Sequence, residues 1–568
     1  MKTVVAGALG ECVHVAGVLN FLHLAELAGW RTVFLGPAVP PQTFFQAAID
    51  EKADLVGVSY RLTPETGERL LGDFAEAADE LRQRGVRFVF GGTPPVSQRA
   101  AALPGFFERI FDGSQPPEEI LAYLKGETAD VRDPANYPQS TIERIQWKAP
   151  FPILRHHFGL PTMQASINGI QQIAEARALD VISLGIDQDA QANFFHPERQ
   201  DPRARGAGGV PVRSVEDYRT LYKASRRGNF PLMRTYSGTD DFLHLAEMYV
   251  EAIHNAWCAI PLYWFNQLDG RGPFDLEDSI REHQQVMAWY GARGIPVELN
   301  EPHHWGMRDA PDVIFITSAY LSAYNAKAFG VQDYIAQMMF NSPPGHSDAM
   351  DIAKMLAILD LIEPLADASF RIWRQTRTGL LSYPLETNAA RAHLAASIYL
   401  QMALKPHIVH IVGHTEADHA ATAQDVIDAS LMARQAISNA LKGQPDMLSD
   451  PTIQARKRLL VSEAQLTLQA IRSLAVATAT ATATGAQSEG AQSAATPGTF
   501  DPLTDPTTLG LALRRGILDA PHLKNSRIAR GTIQTRIING ACEAVDAHNQ
   551  PIQEAERLEE FLSSGAIS

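Results

Sequence analysis

Glu11-Cys12-Val13-His14-Val15-Ala16-Gly17 sits between a short apolar run and a long amphipathic one. A histidine on such a strand-to-helix loop, with a carboxylate beside it and a glycine behind it, is suited to gripping a metal cofactor. Neutral imidazole is a good ligand, and a carboxylate on its other nitrogen fixes the tautomer and raises the basicity. Glu11 is the first choice for that carboxylate, and Cys12 is a poor substitute. A second group lies mid-chain. Arg234 closes an apolar run, where a guanidinium can take a carboxylate through two parallel hydrogen bonds; a surface ion pair is the plain alternative. Tyr263 ends the next run and can orient a substrate by its hydroxyl, or serve as a core aromatic. Glu301-Pro302-His303-His304-Trp305 is dense in polar groups, and Glu301 can act as acid or base. His303, His304, His414, Glu416, Asp418 and His419 would suit zinc or iron by type, yet no His-Glu-x-x-His or related ligand spacing is present.

Residues 1–125 alternate short apolar runs (Thr3–Ala8, Thr32–Leu35, Leu55–Val58, Phe88–Phe90) with helical stretches at Val15–Ala28, Pro41–Glu51, Glu65–Arg84 and Pro117–Lys125. That rhythm predicts an α/β domain with a doubly wound parallel sheet of flavodoxin-like type, binding its ligand outside the carboxyl ends of the strands. Residues 126–160, rich in Pro, Asp and Arg, read as a linker. Residues 161–475 alternate again, with strands expected at Asp180–Gly185, Leu232–Thr235, Ala259–Trp264, Pro296–Asn300, Val331–Phe340 and His407–Val412; this suits a (β/α)8 TIM-type barrel. Residues 476–500 are low in complexity and read as a flexible linker. Residues 501–568 read as a small C-terminal α+β module with a helix at Thr507–Ile517 and a strand at Ile533–Ile538.

The chain has 568 residues, 45% apolar and 20% charged, with a net charge of −15. The negative balance and the lack of a dense basic patch argue against nucleic acid or an anionic membrane as partner, leaving a small-molecule substrate. Three scattered cysteines exclude a disulfide framework and an iron–sulfur motif. Glu11 and His14 interrupt the apolar start too early for a signal peptide, and no run reaches the roughly 20 apolar residues needed to span a membrane. A cytoplasmic homo-oligomer, a dimer, is the expectation.

The His14 segment resembles the Asp-x-His-x-x-Gly motif of cobalamin-binding domains, stretched by one residue and with Glu in place of Asp. Ser59-Tyr60-Arg61-Leu62 stands where that family carries Ser-x-Leu, Gly91-Gly92 where it carries a glycine pair, and Gly36-Pro37 follows the second strand at the expected spacing. The resemblance implies that His14 is the axial cobalt ligand. It further implies that Glu11 supports His14, that Gly17, Gly91 and Gly92 give room for the nucleotide tail, and that Ser59 and Leu62 border it. A Rossmann nucleotide domain competes, but Gly7-Ala8-Leu9-Gly10 lacks the Gly-x-Gly-x-x-Gly spacing and no acidic residue ends the second strand.

The larger part resembles the barrel-forming large subunit of glutamate mutase, through Arg234–Asp241 and Leu245–Glu247, Ile260–Asn266, Val297–Pro302, His414–His419 and Gly516–Pro521 in order. The resemblance implies that His414 and Asp418 hold the adenosine ribose of adenosylcobalamin, a role Glu301 can share. Of the three arginines the family uses on its substrate, one matches Arg234; the other two fall at Ser166 and Gln191, and its ammonium-binding glutamate falls near Trp257. This implies a substrate with one carboxylate or none, recognised by Ser166, Gln191, Asn266 and His303 as well as by Arg234 and Tyr263, and not glutamate. The reading is an adenosylcobalamin-dependent radical isomerase with Arg234, Tyr263 and Glu301 as its catalytic residues. A corrinoid methyltransferase and a non-catalytic cobalamin sensor or carrier remain its competitors.

Overall fold

The computed structural model describes residues 1–103, 105–126, 137–485 and 500–563, and divides into two compact units, Met1–Asn136 and Tyr137–Ser568. In the first unit five parallel strands, β1 (Thr3–Leu9), β2 (Arg31–Val39), β3 (Leu55–Tyr60), β4 (Arg87–Gly92) and β5 (Arg109–Phe111), lie in the order β2-β1-β3-β4-β5. Every residue of β1 is buried, as a strand covered on both faces requires. Phe74 gathers Phe44, Phe45, Phe88 and Phe106 around it at centroid distances of 5.0–6.3 Å beneath one face. The strand expected to stop at Leu35 runs on to Val39. Its register against β1 slips twice, which an edge strand tolerates and which accommodates Gly36-Pro37. The chain order reverses between β1 and β3, so ligand-binding loops are expected after those two strands.

The second unit is a parallel barrel. β6 (Ile153–Phe158), β7 (Val181–Leu184), β8 (Leu232–Arg234), β9 (Cys258–Ile260), β10 (Val297–Leu299), β11 (Asp333–Phe340), β12 (Arg371–Thr378) and β13 (Ile408–Ile411) pair in the order β8-β7-β6-β13-β12-β11-β10-β9. Between β8 and β9 the ladder is open, and the seam is held by Ala256 N–H donating to Met233 O at 2.8 Å and Thr235 N–H to Asn255 Oδ1 at 3.3 Å. An apolar plug of Ile153, Val181, Leu232, Trp257, Ile335 and Ile408 fills the amino-terminal end. Above it the interior turns polar, with Arg155, Arg234, Glu298, Gln337, Gln375, Arg377 and His410 all buried.

The structure revises three of the expected boundaries. Part of the expected linker 126–160 is barrel: a helix at Thr141–Lys148 is followed by β6, and Arg144 is buried with hydrogen bonds to the carbonyls of Pro138, Asn229 and Phe230. Residues 127–136 of that linker lie outside the described residues. The expected linker 476–500 begins inside a helix, Pro451–Gly485, while its residues 486–499 lie outside the described residues. The terminal segment is no separate module. Its helix Pro506–Arg514 and its antiparallel hairpin β14 (Gln534–Ile538) and β15 (Ala541–Val545) belong to the second unit, and Leu503, Leu509 and Leu513 share the barrel's main core. Among the described residues no helix is long and apolar enough to cross a membrane.

One buried carboxylate joins the long helix to the barrel's outer layer. Asp312 faces His346 Nε2 at 2.8 Å, Arg456 at 3.0 Å and Lys354 at 3.7 Å, and Arg456 reaches Glu543 of β15 at 2.7 Å. These cations hold the Asp312 carboxyl well below the usual range although burial opposes them. Asp312→Asn strips buried cations of their partner and is expected to cost about 3–5 kcal/mol. Thermal unfolding would show this as a large drop in midpoint, and an unchanged midpoint would refute the joint.

Candidate functional site

In the first unit the loop after β1 is fixed from both sides. Gly10 N–H donates to Val39 O at 2.9 Å, and Ala38 N–H donates to Cys12 O at 2.9 Å. This tight turn buries Cys12 and leaves Glu11, Val13 and His14 exposed. The structure corrects the choice of partner for His14: Cys12 Sγ lies 3.9 Å from His14 Nδ1, whereas no contact joins Glu11 to the ring among the described residues. Ala8 of β1 is in register with Ser59, and Ser59 with Gly91, so the His14 loop, Ser59 and the glycine pair lie along one edge of the sheet.

These residues fit a bulky corrin with an open cobalt face. A Cβ added at Gly17 or Gly91 would meet nothing within 4 Å, so both positions leave empty space rather than fill a packing need. Val13 (61% exposed) and Leu62 (40%) offer apolar surface that the fold itself does not cover. Gly92 is different, since a Cβ there would lie 2.7 Å from Tyr60 O. Its missing side chain serves the packing of β4 against β3, which corrects its expected place beside the tail.

In the second unit a cavity of about 630 Å³ opens at the carboxyl ends of the barrel strands, where barrel loops carry chemistry. All eight strands or the loops that follow them contribute to it. At its base Glu298 of β10 takes Trp257 Nε1–H at 2.7 Å, Arg234 at 3.3 Å and Arg155 at 3.4 Å. Arg155 also reaches His410 Nδ1 at 2.6 Å, and Arg234 reaches Thr235 O at 3.4 Å. Two guanidiniums thus share one buried carboxylate, and both lie over the Trp257 ring.

Burial holds the inner imidazoles of the barrel neutral, whereas His419, which also lines the cavity, is pushed upward by Asp418 and Asp425. Burial pushes His156 down to about 4 and His157 to about 3, and drives His303, His304 and His410 well below their ordinary value, with Arg377 adding to the effect on all but His156. His157 stacks on Tyr236 and takes its hydroxyl at 3.2 Å, while His303 lies against Met339 Sδ at 3.1 Å. Several polar atoms here have no partner: Arg377 Nε, both ends of the Gln337 amide, both ring nitrogens of His304, and Asn300 Oδ1.

Of the residues expected at the substrate, Arg234, Gln191 and His303 line this cavity, as does Asp418, expected at the cofactor's ribose. The others do not. Ser166 closes the turn after β6 through Leu160 N at 2.9 Å and Leu160 O at 3.1 Å. Asn266 is spent on Tyr263 O and Leu268 N, and Tyr263 is a core aromatic packed against Trp305. Glu301 accepts from Leu262 N, Tyr263 N, Trp264 Nε1 and Trp305 Nε1 at 2.6–3.1 Å, which uses its four lone-pair positions inside the fold. Burial pushes its carboxyl up to about 7 against those donors. His414 turns to Asp425 at 3.8 Å and does not line the cavity. Arg155, Glu298, Gln337 and Arg377 were missed; Glu298 and Gln337 have a signal, since a charged or amide side chain inside an otherwise apolar strand needs an inward polar space, whereas Arg155 and Arg377 sit on strands rich in other polar residues.

A family model described as the B12 binding domain matches residues 2–122. The glutamate mutase sigma subunit of Clostridium tetanomorphum is 31% identical over 132 residues, which are 22% of this chain and 93% of that subunit. Glutamate mutase sigma subunit 1 of Haloarcula marismortui is 28% identical over 127 residues, 22% of this chain and 84% of that one. A solved cobalamin-binding protein from Desulfitobacterium hafniense DCB-2 aligns at 19% identity and a TM-score of 0.19, over 22% of this chain and 59% of that one. Through its first unit, the chain belongs to the B12 binding domain family.

Proposed function

We propose that the chain is an adenosylcobalamin-dependent radical isomerase acting on a small organic or amino acid other than glutamate. The observation that carries this is one chain holding both a B12-binding unit, whose relatives include glutamate mutase sigma subunits, and a barrel with a polar, arginine-lined cavity at its carboxyl mouth. Bound adenosylcobalamin supplies hydrogen-abstracting radical chemistry that no side chain can.

The chain's own residues do the rest. His14 would hold the cobalt through its exposed imidazole, while Gly17 and Gly91 would leave room for the nucleotide tail and Ser59 and Leu62 would border it. In the barrel, Arg155, Glu298 and Arg234 together carry one net positive charge, which favours an acid. Gln191, Asn300 and His303 offer neutral hydrogen bonds to the remainder of the substrate. Asp418, on the loop that follows β13, is the group left for a ribose hydroxyl once His414 has turned away. Glu298 is already held by two arginines, so an amino dicarboxylate would have to place its ammonium against Glu416.

An anaerobic absorption and paramagnetic-resonance titration tests the reading. Adenosylcobalamin is expected to bind with its own base displaced and to give a radical signal with an acid substrate. His14→Ala is expected to abolish the base-displaced form, and unchanged spectra would remove His14 as ligand. Glu11→Gln is expected to leave the bound spectrum intact. Turnover with methylcobalamin and methylated product would replace the isomerase by a methyltransferase.

The neutral imidazoles also set an acid limit on stability. Unfolded histidines take up protons near 6.5, while folded His156 and His283 hold them off until about 4. Their contribution is therefore complete above 6.5 and is lost as pH falls from 6.5 through 4, about 2 kcal/mol for each ring by pH 5. Glu301 and Glu463 act in the opposite sense, losing their contribution as pH rises from 4.5 through about 7, and so offset part of the effect of the several buried histidines. The melting midpoint is expected to be clearly lower at pH 5 than at pH 7.5; equal midpoints would contradict the neutral assignment.

A further inference from the structure

Four arginines face the barrel cavity, and three of them are ion-paired: Arg155 and Arg234 with Glu298, and Arg271 with Asp269. Arg377 of β12, 6% exposed, makes no hydrogen bond or close ion pair among the described residues and feels the carboxylates of Glu298 and Glu416 only at longer range. A buried guanidinium with no hydrogen-bonded anion is costly, and an anion entering the cavity would complete it. The nearest polar side chain along the strands points to what that is. Gln337 of β11 is in register with Gln375, two residues deeper than Arg377 on the same face of β12, and both ends of the Gln337 amide are buried without a partner. The ring nitrogens of His304 are in the same condition, and all three side chains line one cavity.

We propose that Arg377 is the carboxylate anchor of the substrate site, and that Gln337 and His304 receive an uncharged hydrogen-bonding group of the same molecule, so that the ligand class is a small monocarboxylic acid bearing a hydroxyl or amide. This rests on the isomerase reading for the fate of the acid, but not for its binding. The geometry allots one free guanidinium to one carboxylate, because the terminal nitrogens of Arg155 and Arg234 are directed at Glu298, Ser183, His410 and Thr235 O. A fork of two parallel N–H groups fixes the carboxylate in orientation as well as in place. Arg377 is thus a substrate-binding residue at a position none of the sequence motifs marked.

The test is calorimetric titration of the full chain, without cobalamin, with butanoate, 2-hydroxybutanoate and 3-hydroxybutanoate, their primary amides, and glutarate. A hydroxy acid is expected to bind and its amide is not. Arg377→Met is expected to weaken the acid by roughly 10- to 100-fold, the range of a charged hydrogen bond, and Arg377→Lys to restore part of it. The second readout is thermal: relieved of an uncompensated charge, Arg377→Met without ligand is expected to melt higher than the parent. A lower midpoint would mean that Arg377 has a structural partner and would overturn the site. So would equal binding of acid and amide, no binding by any acid of the set, unchanged affinity in Arg377→Met, or glutarate binding tenfold tighter than every monoacid. Acid binding that depends on Arg377 in a chain giving no radical signal with adenosylcobalamin supports the site and fails the isomerase reading. A radical signal with acids as strong in Arg377→Met as in the parent overturns the site and leaves that reading standing.

Discussion

Glu298 is the constraint on which the barrel's interior depends. It is 1% exposed, on a three-residue strand, and takes an indole N–H and two guanidiniums from three other parts of the barrel. Isolated, each of these charges would be expensive to bury, whereas together they satisfy one another and leave a single net positive charge. The same contacts brace the barrel where its ladder is open. Arg234 ends β8, Trp257 immediately precedes β9 and Glu298 lies on β10, so the cluster spans the seam that only a few backbone bonds close. The apolar plug below supplies the dry floor that makes these electrostatic contacts strong.

The cofactor end of the molecule was legible because its information is local. His14 sits on the loop after β1, Gly17 in the first turn of the helix that follows, and Ser59 and Gly91 near the carboxyl ends of β3 and β4, and a short parallel sheet places such positions along one edge whatever the details of its packing. What the sequence hid there was the direction of one side chain. Glu11 is close to His14 along the chain, but the turn anchored by Gly10 and Ala38 sends it to solvent and leaves Cys12 beside the ring.

The barrel site was legible in outline only, because its residues meet from strands far apart in sequence. The expected rhythm placed six of the eight strands. β6 was hidden within a stretch whose Pro, Asp and Arg content looks like a linker, and β12 because four of its eight residues are Arg or Gln. Those are the strands that carry Arg155 and Arg377. Charges within a strand lower its apparent strand character unless an interior cavity receives them, so the feature that marks the site also masks the element bearing it. Glu301 shows the converse error. A polar residue at a strand end looks catalytic, yet two backbone amides and two indoles occupy it completely.

The cavity's chemistry follows from what burial does to its titratable groups. Five histidines that would ordinarily exchange protons near neutrality are held neutral far below it, and a nearby guanidinium reinforces this for four of them. Tyr236 is pushed upward. Glu416, on the loop after β13, is raised by burial and is the one carboxyl among the cavity-lining groups whose affinity for a proton is shifted upward. Such a cavity can orient an acid by fixed charge and neutral hydrogen bonds, and taking a proton from carbon would fall to Glu416 or His419, since it calls for a group poised near the working pH. A reaction that moves a hydrogen atom rather than a proton makes no such demand on the protein. It needs a dry enclosure, a fixed substrate and a cofactor able to generate a radical. A polar barrel cavity and a B12-binding unit on the same chain are what the proposed radical chemistry would need.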